Sequence, residues 1–447
     1  MTSSQSKQQR HSYILCNLCN WMDTMASPPA PEMIAIDAVS AQQHAAVLGI
    51  GTANPENCVR QEEFVDWYFR VTNSDHLTNL KAKMKRMCDK SEIKKRHFYH
   101  SEEMIASHHE FTNRESPSLD ARLGIAKEAV PELAMAAAAR AIADWGRPAA
   151  DITHLVVATN AGAHAPGPDL RLAAHLGLRP AVRRIVLYLR GCSAGHDALR
   201  LAMDIAGGDA GARVLVACAE ITLPAFAAPD GEDDADRLVV MALFGDGAGA
   251  VVVGAADDTG HPVEHPVFHL VSASQAIIAG TEERVTLQLG ERGLRYRISG
   301  DVPALARDSV ERCLVDALVP LDLAVAGDGD GGEGWSWNHL FWAMHPTGRA
   351  MLDGYEAALR LEPGKLAASR RVLREYGNLS GAAMIFVLDE LRRRRHGGDG
   401  EEEGDRSGFC EWGAMVGIGP GLTIETMVLR ATSGPDDGKK GAEAVQP

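Results

Sequence analysis

IVLYLRGCSAGHDALRLAMDIA, residues 185–206, is the stretch on which the fold turns. Ile185 to Leu189 is an apolar, β-branched and aromatic run and reads as a buried strand. Gly191 lets the backbone turn sharply. Cys192 then opens a segment in which Ala194, Ala198, Leu201, Ala202 and Ile205 recur at helical spacing. Strand, glycine turn and helix in that order predict an α/β architecture. A cysteine at the head of a helix faces backbone N–H groups that favour the thiolate, which makes Cys192 a candidate nucleophile. Free cysteine is also among the most buried residue types, so the local text alone leaves a core role open.

The 447 residues are 45% hydrophobic, enough for one large or two fused cores. The net charge of −15, with no Lys/Arg block longer than Arg392–Arg395, argues against nucleic acid or an anionic membrane surface as partner. Eight scattered cysteines lack the density of a disulfide-stapled secreted domain, and a reducing cytoplasmic setting is expected. No run reaches the ~18 apolar residues of a membrane span, and the start lacks the apolar core of a signal peptide.

Residues 1–31 are polar and then Pro-rich, and read as a disordered extension, with Met25 as an alternative start. Cys16 and Cys19 form a lone CxxC with no second pair, so no metal is assigned there. Strand-like text begins at Ala45. The segment LKAKMKRMCDKSEIKK (80–95) is the densest basic stretch, and Lys83, Arg86 and Lys90, spaced by three and four, share one helical face. That face is either an anion site or a solvated surface. An Ala-rich helix ending near Trp145 leads into HLVVATNAG (154–162), and VLVACAEIT (214–222) and LFGDGAGAVVVGA (243–255) read as further buried strands. GDGAGA lacks a Walker lysine and does not fit GxGxxG, so it is a structural turn. GDGDGGEG (327–334) and HGGDGEEEGDR (396–406) read as surface inserts.

An internal repeat raises Cys192 above a core filler. HLVVATNAG aligns with HLFWAMHPTG (339–348), placing Asn160 opposite His345; GCSAG (191–195) aligns with GNLSG (377–381), placing Cys192 opposite Asn378. Asn160 and Cys192 are 32 positions apart, and His345 and Asn378 are 33. Two matches in the same order at nearly the same separation predict two related halves. Strand ends facing one another would bring these residues to one cavity. A thiol, an imidazole and an amide donor then suit acyl transfer, the imidazole assisting the thiolate and both donors serving an oxygen that gains charge. A cysteine protease uses the same residue types; the duplicated halves and apolar surroundings favour carbon–carbon bond formation.

At this point the chain resembles the plant type III polyketide synthases, the chalcone synthase-like enzymes. The resemblance runs from about Ala45 to Ala431 and rests on KRMCDKSEIKKR, GCSAG, LFGDGA, FWAMHPTG, EYGNLSGA and GIGPGLTIET together. It implies a duplicated thiolase-like fold layered αβαβα, with an N-terminal lobe over 32–265, a C-terminal lobe over 266–431, inserts near 326–335 and 396–408, and a disordered tail over 432–447. It further implies a homodimer, a coenzyme A tunnel, malonyl-CoA and an acyl-CoA as substrates, and no metal or resident cofactor. By the same resemblance Cys192 accepts the starter acyl group, and His345 and Asn378 support decarboxylation of malonyl-CoA. Phe244 and Tyr296 match the two gatekeepers, and Lys83, Arg86 and Lys90 match the cations that hold the coenzyme A phosphates.

The substrate chamber departs from the chalcone-forming pattern. Asn160 and Ala161 stand in place of Thr-Ser, Ala225 in place of threonine, and Leu287 in place of glycine, while Ser380 is the usual serine. Leu287 adds volume where a growing chain needs room, so fewer extensions or another starter shape are expected. Asn160 resembles the curcuminoid-forming branch, in which an asparagine helps hold a hydrolytic water; Ala225 does not complete that pattern. The expected reaction is condensation of an aromatic, p-coumaroyl-type starter with malonyl-CoA to a diketide, pyrone or curcuminoid-like product. The alternatives are chalcone formation, fatty-acyl alkylpyrone or alkylresorcinol synthesis, a carrier-protein-dependent β-ketoacyl synthase, and a noncatalytic protein on the same fold.

Overall fold

Strands that alternate between two covered faces must read as continuous apolar runs, and the buried strands of this chain do so. A computed structural model describes residues 45–432 apart from 114, 232–234, 256–263, 322, 324–334 and 396–409. The N-terminal extension, the Cys16–Cys19 pair, almost all of the two glycine- and acid-rich inserts and almost all of the C-terminal tail lie outside the described residues. The strands are β1 (Ala45–Ala53), β2 (Asn57–Arg60), β3 (Lys95–Phe98), β4 (His154–Thr159), β5 (Arg183–Tyr188), β6 (Arg213–Glu220), β7 (Gly247–Ala255), β8 (Phe268–Ile277), β9 (Val285–Gly290), β10 (Gly293–Ile298), β11 (Phe341–Met344), β12 (Trp412–Gly419) and β13 (Thr423–Ala431).

Nine of them form one sheet in the order β11-β12-β13-β8-β1-β7-β6-β4-β5. The two halves join where β1 pairs antiparallel with β8 over Ala45–Val47. On either side of that seam the pattern repeats. β4 runs parallel to β6, as β11 runs parallel to β12, and antiparallel pairs β6–β7 and β12–β13 follow. Among the described residues the second half has no counterpart of β5. The repeat read from Asn160/His345 and Cys192/Asn378 is therefore a repeat of topology as well as of text.

Five layers result, the αβαβα order that the resemblance implies. Along β6, Leu215, Ala217 and Ala219 face one cluster and Val214, Val216 and Cys218 another. The long helix Leu119–Trp145 covers the outer face of the first half-sheet through Ala134, Ala137, Ala138 and Ala141. Helices Val302–Leu318 and Arg349–Leu359 cover the outer face of the second, packing on Trp342, Met344 and Val416. Helices Ala194–Gly208 and Ala383–Arg395 fill the middle, in contact with Val156 and Val216 of one half-sheet and Ala343 and Met415 of the other. A helix between two sheets has little solvent side, which is why Ala383–Asp389 is buried throughout. The middle helices meet at the repeat's own glycines: a Cβ on Gly195 would lie within 2.5 Å of the Gly381 carbonyl oxygen and could not be accommodated in place.

One expectation is corrected. The strand before Cys192 is not fully buried. β5 is the sheet edge, with Arg183–Ile185 exposed and Val186–Tyr188 half-buried, because nothing among the described residues pairs with its outer side. No described helix is long and apolar enough to cross a membrane.

Candidate active site

Ligand sites of α/β sheets lie beyond the C-terminal ends of parallel strands, and Asn160 and His345 directly follow β4 and β11 there. Cys192 sits within a 3₁₀ turn, Gly191–Ser193, that runs directly into helix Ala194–Gly208. Gly191 has φ of +62°, and a Cβ there would come 2.6 Å from Pro420, so glycine is required for both reasons.

Asn160 clamps this turn. Its Oδ1 accepts from Gly191 N at 2.7 Å, and its Nδ2, with two hydrogens to give, donates to Glu220 Oε1 at 2.7 Å and has the Gly191 carbonyl and Ser380 Oγ both within reach at 3.2 Å. Its backbone N–H donates to Glu220 Oε2 at 3.0 Å. Asn160 is 1% exposed and does not line the main cavity, so the clamp occupies the side chain that the resemblance assigns to holding a water. Glu220, at the end of β6, was not singled out in the sequence. Burial pushes its carboxyl up to about 8, against the downward pull of Asn160 and the Gly381 N–H.

Asn378 is fixed from four sides. Its backbone N–H donates to the Leu243 carbonyl at 2.8 Å and its carbonyl accepts from Gly245 N at 3.0 Å, bridging it to Phe244. Its Oδ1 accepts from Ser380 N at 2.8 Å and its Nδ2 donates to the Thr347 carbonyl at 3.2 Å. His345 Nε2 lies 2.9 Å from the Ser380 carbonyl, which can only accept, so Nε2 carries the hydrogen. Nδ1 then accepts from Thr347 Oγ1 at 2.9 Å.

Burial at this site works against the thiolate that a helix start favours. Burial pushes the Cys192 thiol up to about 11, with Glu220 adding to the rise and hydrogen bonds from Ser380 and Asn378 opposing it; Ser380 Oγ is 3.7 Å from Sγ. Burial likewise lowers His345 to about 4. A short turn ahead of the helix offers too little positive potential to offset that desolvation. Both shifts favour the neutral forms of thiol and imidazole.

A cavity of about 520 Å³ connects the predicted residues. Lys83, Arg86 and Lys90 line it together with Cys192, Phe244, Leu287, Tyr296 and Asn378. Phe244 and Tyr296 have ring centroids 5.5 Å apart. His345, Asn160, Ala161 and Ser380 stand behind its wall, buried. Ala225 lines a second cavity, also of about 520 Å³, and Tyr296 is common to both. Leu287 abuts the nucleophile turn: its Cδ1 would lie 3.4 Å from a Cβ on Gly191.

Arg96 is a further residue that sequence reasoning missed. It directly follows the basic stretch yet is 1% exposed, and its Nη1 donates to the Met241 carbonyl at 2.7 Å and the Phe244 carbonyl at 2.6 Å. It stacks 4.1 Å from the Phe64 ring centroid. A buried guanidinium thus anchors the segment that carries Phe244 and pairs with Asn378. Among the described residues no three His, Cys, Asp or Glu side chains gather as a metal-ligand group.

Residues 34–257 match the family model described as chalcone and stilbene synthases, N-terminal domain, and residues 269–433 match the corresponding C-terminal domain. A rice protein (Oryza sativa subsp. japonica), bisdemethoxycurcumin synthase, is 57% identical over 390 residues, which is 87% of this chain and 93% of the relative.

Proposed function

The chain belongs to the chalcone and stilbene synthase family and is a type III polyketide synthase, and from that premise we propose that it condenses an aromatic, p-coumaroyl-type acyl-CoA with malonyl-CoA. The product is a diketide, pyrone or curcuminoid-like compound. The observation that carries this reading is the single cavity in which three cations, Cys192 and Asn378 share one wall system.

Coenzyme A phosphates rest on Lys83, Arg86 and Lys90, and the pantetheine arm leads the thioester to Cys192. The cysteine sulfur attacks the starter carbonyl as its proton passes to the sulfur of coenzyme A, and coenzyme A leaves as the thiol. His345 assists by turning its Nε2–H from the Ser380 carbonyl toward the sulfur, where it stabilises negative charge. Malonyl-CoA then loses carbon dioxide, leaving an enolate whose oxygen takes hydrogen bonds from His345 Nε2 and Asn378 Nδ2. The carbanion attacks the acyl group, and the carbon–sulfur bond to Cys192 breaks. Phe244 and Tyr296 screen the acyl thioester from water. Thr347, by holding Nδ1, keeps Nε2–H available for both steps.

Leu287 limits chain growth because it occupies space next to the nucleophile turn. Replacing it with glycine is expected to shift products toward longer chains, read as the ratio of triketide and tetraketide to diketide products by mass spectrometry; an unchanged ratio removes Leu287 from specificity.

We assign a homodimer to the β5 edge, on the support of its unpaired strand and exposed Ile185 and Leu170. Ile185→Arg should give monomers by light scattering, and a dimer that persists places the interface elsewhere. The reading includes a reducing cytoplasm, which keeps Cys192 a free thiol.

Incubation of the purified protein with p-coumaroyl-CoA and malonyl-CoA, followed by mass spectrometry, tests the proposal. Products carrying malonyl-derived carbon are expected. Their absence across aromatic and fatty starters overturns it, and dependence on an acyl carrier protein transfers the chain to the β-ketoacyl synthase reading.

A further inference from the structure

We propose that Arg349 is a fourth cation of the coenzyme A cradle, engaging the phosphates from the C-terminal half while Lys83, Arg86 and Lys90 engage them from the N-terminal half. The inference rests on the tunnel reading above and adds a residue that neither the motifs nor the resemblance assigns.

Arg349 begins helix Arg349–Leu359, directly after the Thr347–Gly348 pair, and lines the same cavity as the three N-terminal cations. Its surroundings show why it is available. Arg349 belongs to a cluster with Glu92, Asp353, Glu356 and Arg370, and of these five only Arg349 lines the cavity. Arg370 serves the acids closely, at 2.9 Å to Glu92, 2.6 Å to Asp353 and 2.7 Å to Glu356. The nearest approaches of Arg349 to Glu92 and Asp353 are through Nε, at 3.3 and 3.2 Å. That leaves the Nη1 and Nη2 side of the guanidinium, the forked donor that suits a phosphate, as the part to present to the cavity it lines.

The ligand has charge to spare for a fourth cation. Coenzyme A carries a diphosphate and a phosphomonoester, together about four negative charges at neutral pH. Three cations on one helical segment leave part of that charge unmatched, and a half-exposed guanidinium on a separate wall meets it without new desolvation of a buried group. Removal of Arg349 leaves Glu92 and Asp353 paired with Arg370, so the cluster does not become an uncompensated set of acids.

The test is calorimetric titration of the full chain and of Arg349→Ala with free coenzyme A, and with pantetheine, which lacks the phosphates. The expected result is a coenzyme A affinity about tenfold weaker in R349A, with the ratio of coenzyme A to pantetheine affinity falling by the same factor. In turnover, the KM for a coenzyme A thioester relative to that for the matching N-acetylcysteamine thioester should rise about tenfold. An R349A protein whose ratios equal those of the parent overturns the assignment, as does equal weakening of both ligands, which marks a structural role. Parent protein that binds no coenzyme A sinks the tunnel reading itself, an outcome distinct from the failure of Arg349 alone.

Discussion

Cys192→Ala should neither retain a starter acyl group nor release any condensed product, with a loss of turnover of roughly 10³-fold or more. The expectation follows from position. Cys192 is the cysteine that lines the cavity among the described residues, and its turn is held by Asn160, Gly191 and Pro420 independently of the sulfur. Truncation to alanine therefore removes the acyl acceptor while leaving the wall in place. Malonyl-CoA decarboxylation separates the roles: it needs the donors His345 and Asn378 and should persist in C192A, visible as acetyl-CoA by mass spectrometry. Full product formation by C192A would place the nucleophile elsewhere.

The second large effect belongs to the donors. Burial pushes the thiol up, to about 11, and the imidazole down, to about 4, so desolvation works against a charged pair at this site. Acylation at neutral pH thus depends on His345 moving its Nε2–H to the sulfur. Removing the imidazole by His345→Ala leaves the thiol to burial alone. Alkylation of Cys192 by iodoacetamide at neutral pH should then be slower than in the parent, because the Nε2–H that stabilises the developing thiolate is gone. Decarboxylation should fall about 10²- to 10³-fold, the cost of one oxyanion donor. Asn378→Ala should lose decarboxylation to a similar extent and keep starter loading. Superimposable alkylation profiles for the parent and H345A would remove His345 from activation.

Cys192, His345 and Asn378 were legible because duplication left short motifs at matched spacing, and equivalent positions in two copies of one topology meet near the seam. The layers were legible for a related reason: doubly covered strands such as VLVACAEIT show almost unbroken apolarity. Glu220 was the signal overlooked in that run, a carboxylate inside an apolar strand that needs partners wherever it is buried. Arg96 gave no signal, since its neighbours in sequence are solvated cations and only the packing of Phe64 and the Phe244 segment buries it. The desolvation of Cys192 has no local signal, because a helix start is a local property whereas burial is imposed by every layer around the site. The β5 edge was misjudged, for apolar text does not state where in the sheet a strand lies. Arg349 lies beyond any local pattern, because the division of labour with Arg370 exists only in three dimensions.

The central claim, that the cavity delivers a coenzyme A starter to Cys192, is tested most directly by mass spectrometry of the intact protein after brief exposure to p-coumaroyl-CoA without malonyl-CoA, followed by peptide mapping. One p-coumaroyl group per chain on the peptide containing Cys192, absent in C192A, is the predicted result. Chains that remain unacylated, or carry the group on another residue, while the same preparation turns over p-coumaroyl-CoA and malonyl-CoA would contradict it.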